Sequence, residues 1–299
     1  MHAVHLVEAP SNLGLKEPAP GIAPAVDRLP AWLKHWGFYD LVAPQRIYTV
    51  MPPPYSMQLD PVGVRNAEAI GRYSQQLAAC ITPIVMQSGF ALVVGGDCSI
   101  LLGIALGLKV AGTYGLFFLD GHTDYAEPGR SDTGGAAGMD LALVTGGGPD
   151  KLTNLDGRRP YIAPRHAWSV GDRDADAADV AALQAATVQY VDLATLRRQG
   201  LAACAAAFLA DIAAQGLDGF WIHFDVDVLA HELMPAVDSP QPGGLTYEEL
   251  ATLLIPLLQS GHAVGLDITI LDASLDPTGD ITRRFVAGLA PIMAVLTSE

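Results

Sequence analysis

The chain has 299 residues, half of them apolar, and a formal net charge of −15. That length is ample for a buried core, and although about 150 residues per domain would allow two units, an α/β chain of this size is often one domain. So acidic a surface repels nucleic acid and anionic membranes, which excludes both as natural partners and leaves cations and small molecules.

Short apolar runs alternate with helical patterns along the chain. Residues 4–9 (VHLVEA) and 46–51 (RIYTVM) predict strands, and 66–89 an amphipathic helix. A strand over 91–96, a helix over 99–110 and a strand over 114–120 follow. Residues 167–172 and 188–193 read as strands, then 195–215 as one Ala/Leu-rich helix. A strand over 219–227 precedes a helix over 246–261, where Thr246 stands three residues before Glu249 as in a capping box. A strand over 263–270 and a helix from about residue 280 complete the chain, with loops at 10–30, 126–138 and 230–244. Near-continuous apolar strands between helices indicate a mostly parallel sheet covered on both faces, in one domain over 1–299.

Cys80, Cys98 and Cys204 cannot all pair, and the N-terminus has neither a basic start nor a long apolar stretch, so a reduced, cytoplasmic setting is expected. No segment approaches the roughly 20 uninterrupted apolar residues of a membrane helix.

Ligands of open α/β sheets bind beyond the carboxyl ends of the strands. Three such ends are unusual: Gly95–Ser99 (GGDCS), Phe117–Pro128 (FFLDGHTDYAEP) and Trp221–Ala230 (WIHFDVDVLA). Asp120, His122 and Asp124 are spaced i, i+2, i+4, and Asp225 and Asp227 repeat that spacing, so in extended chain each set shares a face. Two acid pairs in one dry cleft would repel unless one or two divalent cations sat between them. Four carboxylates, an imidazole and a thiol suffice for two metals sharing carboxylates, and a mostly oxygen donor set suits manganese. Asp97 fits a helix cap as readily as a site.

These motifs resemble those of the ureohydrolases: arginase, agmatinase, formiminoglutamase and relatives. That family has GGDHS, DxHxD and DxDxxDP motifs in this order, here Gly95–Ser99, Asp120–Asp124 and Asp225–Asp227. Residues 235–250 (PAVDSPQPGGLTYEEL) and 169–176 (SVGDRDAD) resemble two further family segments. The resemblance implies a three-layer α/β/α sandwich, two divalent metal ions (Mn2+ by analogy), hydrolysis of a C–N bond in a small linear guanidino, amidino or ureido compound, and a trimer or hexamer. It makes Cys98 and Asp124 ligands of one ion, His122 and Asp227 of the other, and Asp120 and Asp225 bridges, with Asp124 also catalytic.

Departures from the pattern accompany the likeness. Cys98 replaces a histidine, which opens the site to Zn, Fe or Co, and a helix N-terminus there would lower its pKa. Ala137 stands where arginases carry a shuttle histidine, leaving Asp140 nearby as a substitute that would contact substrate, or as a helix start. The later Asp-Pro is lost, with His231 in that loop. Ile270 replaces the glutamate that clamps a guanidinium. Asp174 and Asp176 fall where arginases place acids near the substrate's α-ammonium group, and Cys98 also resembles an offshoot acting on N-hydroxyarginine. A non-catalytic ligand binder and a metal-dependent amide hydrolase are the competing expectations.

Overall fold

Eight parallel strands form one sheet in the order β2-β1-β3-β8-β7-β4-β5-β6. They are β1 (Val4–Glu8), β2 (Arg46–Thr49), β3 (Phe90–Val94), β4 (Tyr114–Leu119), β5 (Ala167–Val170), β6 (Gln189–Val191), β7 (Gly219–Asp225) and β8 (Ala263–Thr269). The coordinates are a computed structural model describing residues 3–173 and 175–297. The helices are α1 (Leu29–His35), α2 (Phe38–Val42), α3 (Ala67–Met86), α4 (Leu101–Ala111), α5 (Asp140–Val144), α6 (Asp150–Thr153), α7 (Ala177–Ala185), α8 (Leu193–Gln199), α9 (Leu201–Ala214), α10 (Tyr247–Gln259) and α11 (Asp280–Thr297). Among the described residues no helix is long and apolar enough to cross a membrane.

The alternation of side chains along each strand splits the core in two. One layer packs Leu92, Phe117, Phe220, Ile222, Phe224, Leu266 and Ile268 beneath α1, α2, α9, α10 and α11. The other packs Val93, Leu116, Phe118 and Trp221 beneath α3, α4 and α5. The result is the three-layer α/β/α arrangement.

Each predicted strand is present within a few residues of its expected ends. The single helix expected over 195–215 is two helices, because Gly200 takes φ 95 and interrupts the backbone ladder. At 246–261 the expected capping box forms: the Thr246 hydroxyl accepts from Glu249 N at 3.1 Å, and Glu249 Oε2 accepts from Thr246 N at 2.9 Å.

Gly265 is required by space. It pairs with Trp221 across β7 and β8, and the indole lies over it. A Cβ added to Gly265 would fall 2.0 Å from the Trp221 ring and 2.5 Å from the Ala91 carbonyl oxygen. Trp221 Nε1 is thereby held 2.5 Å from Asp267 Oδ1, fixing that buried carboxylate. Gly265→Ala is therefore expected to destabilise the protein by about 3 kcal/mol in urea unfolding; a change within about 0.5 kcal/mol, the usual range of surface substitutions, would refute this packing.

Candidate metal centre

The three unusual strand ends meet beyond the carboxyl edge of the four central strands. After β3 the chain must slip past Ala9–Ser11. A Cβ on Gly96, which has φ 63, would lie 2.2 Å from the Ser11 carbonyl oxygen, so only glycine fits. Asp97 then caps the short turn that follows: Oδ1 accepts from Ser99 N at 2.9 Å and Oδ2 from Ser11 Oγ at 2.8 Å. It acts as a cap. The turn buries Cys98 completely, and its thiol donates to Asp225 Oδ2 at 2.9 Å, with Thr269 Oγ1 at 3.2 Å.

Beyond β4, Asp120 is buried, and its Oδ1 accepts from His122 N at 2.7 Å. His122 Nδ1 lies 2.9 Å from Asp227 Oδ2 and 3.7 Å from Asp120 Oδ1. Residues 120–124 do not form extended chain, contrary to the i, i+2, i+4 argument. The backbone turns, and Asp124 takes a left-handed φ of 42. That turn brings Asp124 to the wall of the cleft beside His122. After β7, Asp225 Oδ1 accepts from Asp227 N at 2.8 Å and Asp227 Oδ1 from Gly121 N at 3.0 Å, stitching the second and third motifs together. Arg173 braces them from outside by donating to the carbonyls of Asp227 at 2.7 Å and Gln241 at 3.1 Å.

Two sets of donor atoms lie within 4.8 Å of one another among the described residues: Asp120, His122 and Asp227, and Cys98, Asp120 and His223. Asp120 belongs to both, and Asp225 adjoins the second through its contact with Cys98. Either set is compact enough to hold one cation. Asp120 Oδ2, Asp140 Oδ2 and His223 Nε2 are buried with no hydrogen-bond partner in the protein. Such an atom costs about 1–3 kcal/mol if left unmatched. Three of them beside a thiol form a donor set that fits a bound cation.

The electrostatics agree. Burial first, then the neighbouring acids, push the carboxyls of Asp120, Asp124, Asp140 and Asp225 above the usual carboxylate range. Burial alone would favour neutral His122, yet hydrogen bonds and charge from Asp120 and Asp227 drive it up to about 12. The expectation of an acidified Cys98 is overturned. Burial and then Asp225, Asp140, Asp120 and Asp124 push the thiol well above its ordinary value, because so short a helical turn cannot offset desolvation and nearby negative charge.

A cleft of about 670 Å³ opens onto this cluster, lined by Cys98, His122, Asp124, Asp225 and Asp227 within, and by Lys16, Asp238 and Ile270 among others. Ile270 sits at φ 75, a backbone region that a β-branched residue rarely occupies, with its N–H donating to the Gly96 carbonyl at 2.9 Å. Ala137 also lines the cleft. Asp140 does not match a substrate-contacting role: it starts α5 with no exposed surface, and its Oδ1 accepts from Leu141 N at 2.7 Å. Asp174 lies outside the described residues. Asp176 is exposed and caps α7 through Ala178 N at 2.7 Å, while lining a smaller groove beside His122 and Asp124. His231 is exposed. His223 was not singled out by sequence, although it stands two residues before Asp225 on the same strand face.

The sequence profile of the arginase family matches residues 40–294. The chain belongs to the arginase family. Human arginase-1 is 27% identical over 227 residues, 75% of this chain and 70% of its own length. The arginase of Bacillus caldovelox is 30% identical over 187 residues, 62% of each chain. Its solved structure superposes with a TM-score of 0.86 over 98% of both chains, at 23% identity. Formimidoylglutamase from Bacillus subtilis superposes with a TM-score of 0.77, at 17% identity, over 100% of this chain and 88% of that one. Arginase-family proteins are hydrolases of C–N bonds, and this chain is placed among them.

A cation that binds only the folded chain stabilises it by about 2.7 kcal/mol at a hundred times its Kd. Adding Mn2+ or Zn2+ to chelator-treated protein is therefore expected to raise the melting temperature and EDTA to reverse the rise. An unchanged melting curve across both metals would count against any cation at this cluster.

Proposed function

We propose that this chain is a dinuclear-metal hydrolase cleaving a C–N bond in a small linear compound, and that it favours an N-hydroxyguanidine or ureido end over a free guanidinium. The observation that carries the reading is Ile270 in the wall of the cleft that opens onto the clustered acids. By family resemblance a guanidinium-clamping glutamate belongs at that position. A guanidinium kept at full charge needs an acid partner there, whereas an N-hydroxyguanidine is less basic and a ureido group is neutral, so either tolerates an apolar wall.

The residues that would hold the ions are Cys98, Asp124, His122 and Asp227, with Asp120 and Asp225 shared. When bound, divalent cations would supply Lewis acidity at this cluster, lowering the pKa of water there and offsetting negative charge that develops on the substrate. The protein's own groups supply the rest. Asp124, whose carboxyl lines the cleft and is pushed above the usual carboxylate range by desolvation and then by Asp120, would take the proton of the attacking water and pass it to the departing nitrogen. Arg173 holds the backbone around Asp227 and so keeps the third motif against the second. Asp238 also lines the cleft, its carboxyl raised to about 6 by desolvation and then by Asp227, and would serve a distant ammonium group.

The mixed thiolate, imidazole and carboxylate donors support manganese by family likeness and equally admit zinc, iron or cobalt. Steady-state assays with arginine, N-hydroxyarginine and ureido compounds, on metal-reconstituted protein, test the proposal. Wild type is expected to turn over the hydroxylated or ureido compound and to use arginine poorly. A charge-assisted hydrogen bond is worth about 1.5–3 kcal/mol, roughly 10- to 100-fold, so Ile270→Glu should raise kcat/KM for arginine by that factor. Preference of wild type for arginine, or no gain in the variant, would reject the substrate assignment.

A further inference from the structure

The face of the sheet behind the cleft carries groups that the family pattern leaves without a role. On β7 the side chains of Trp221, His223 and Asp225 share one face, and the register sets His223 opposite Phe118 of β4 and Asp267 of β8. Phe118 stacks on the imidazole with ring centroids 4.6 Å apart and planes 18° apart. His223 Nδ1 lies 2.6 Å from Asp267 Oδ2, and Trp221 donates to the other oxygen of the same carboxylate. The ring is therefore fixed in orientation: Nδ1 carries the hydrogen that Asp267 accepts, and Nε2 is the ring atom left to meet a ligand. Nε2 faces Asp140 Oδ2 at 3.9 Å and Asp120 Oδ2 at 4.0 Å. Those distances are too long for hydrogen bonds, and all three atoms are buried and unpartnered in the protein. Cys98 Sγ completes the set, within 4.8 Å of the donor atoms of Asp120 and His223.

We infer that His223 is a metal ligand, and that Cys98, Asp120 and His223, with Asp140 as the fourth donor, form a buried thiolate–imidazole–carboxylate site beneath the cleft. The inference rests on the dinuclear reading in one respect only, that Asp120 is shared with the His122 and Asp227 set. A histidine whose second nitrogen donates to a carboxylate is the usual arrangement of a metal-bound imidazole, and Asp267 supplies that carboxylate. One sulfur, one nitrogen and two carboxylates suit zinc, cobalt or ferrous iron better than manganese, which prefers an all-oxygen shell. The ion would replace the thiol hydrogen and any hydrogen on Nε2 or on the two carboxyls, and each proton so displaced leaves to solvent. The inner position then holds an imidazole that comes from the middle of a strand, compensating for the cysteine in the first motif.

The test uses the full-length chain, stripped with chelator and titrated with Co2+. Wild type should bind two equivalents, with a near-ultraviolet thiolate-to-cobalt charge-transfer band that Cys98→Ser abolishes and Asp227→Asn spares. His223→Gln and Asp140→Asn should each weaken the ion giving that band at least tenfold, with unchanged far-ultraviolet circular dichroism. X-ray absorption of the wild-type protein loaded with zinc avoids reliance on variants. Sulfur scattering at about 2.3 Å with two imidazoles per two zinc ions supports the assignment. One imidazole per two ions, or a charge-transfer band insensitive to His223→Gln, overturns it while leaving the dinuclear hydrolase standing. Failure of wild type to bind any cobalt or zinc would instead remove both.

Discussion

The structure is organised around a concentration of negative charge that the protein does not neutralise by itself. Asp120, Asp124, Asp140, Asp225 and Asp227 gather at the carboxyl edge of the central strands, and the basic groups beside them include the imidazoles of His122 and His223 and the outlying Arg173, with Lys16 on the cleft wall. Burial raises the cost of keeping each acid ionised, and every neighbouring acid raises it further. The backbone has been built to tolerate this: amides of Gly121, His122 and Asp227 each donate to a carboxylate of the cluster. Those bonds satisfy one oxygen apiece; Cys98 and His122 meet the second oxygens of Asp225 and Asp227, and Asp120 Oδ2 is left bare. What is left over is a cluster of donors that fits cations.

That arrangement is inexpensive to position because it is written into strand register. Three central strands present side chains of one face in line, so Phe118, His223 and Asp267 meet without any loop to place them. The loops contribute the half-buried His122 and Asp124 and the buried Asp227, whose positions depend on backbone turns and on Arg173. Donors fixed by register therefore lie deep, while His122 and Asp124 lie toward the cleft, a division that would suit a site that both retains ions and admits ligands.

The strands, the capped helix at Thr246 and the meeting of the three motifs could be read from residue patterns, because apolar periodicity and short polar motifs at strand ends are local signals. What escaped had non-local causes. The run FWIHFD reads as an apolar strand, and His223 looks like a core residue until Asp267 from another strand is set beside it. Asp140 looked available to substrate because its surroundings are invisible in one dimension; the fold closes over it. The thiol of Cys98 was expected to be acidic from its place at a helix start, but three helical residues weigh little against complete burial among carboxylates. The extended geometry imagined for residues 120–124 also failed, since the left-handed turn at Asp124 cannot be inferred from spacing.

Phe118 lies flat against the His223 ring, and the helical layer seals the space behind it. The cleft touches this deep region at Cys98, so an ion lodged there has its route to bulk water past the outer donors. With ions in both positions, occupancy would be sequential: the inner one would enter first, and the outer one would bar its exit. Exchange would be slow for the first and fast for the second, and the metal found in the recess would record the conditions under which the chain matured more than those in which it works.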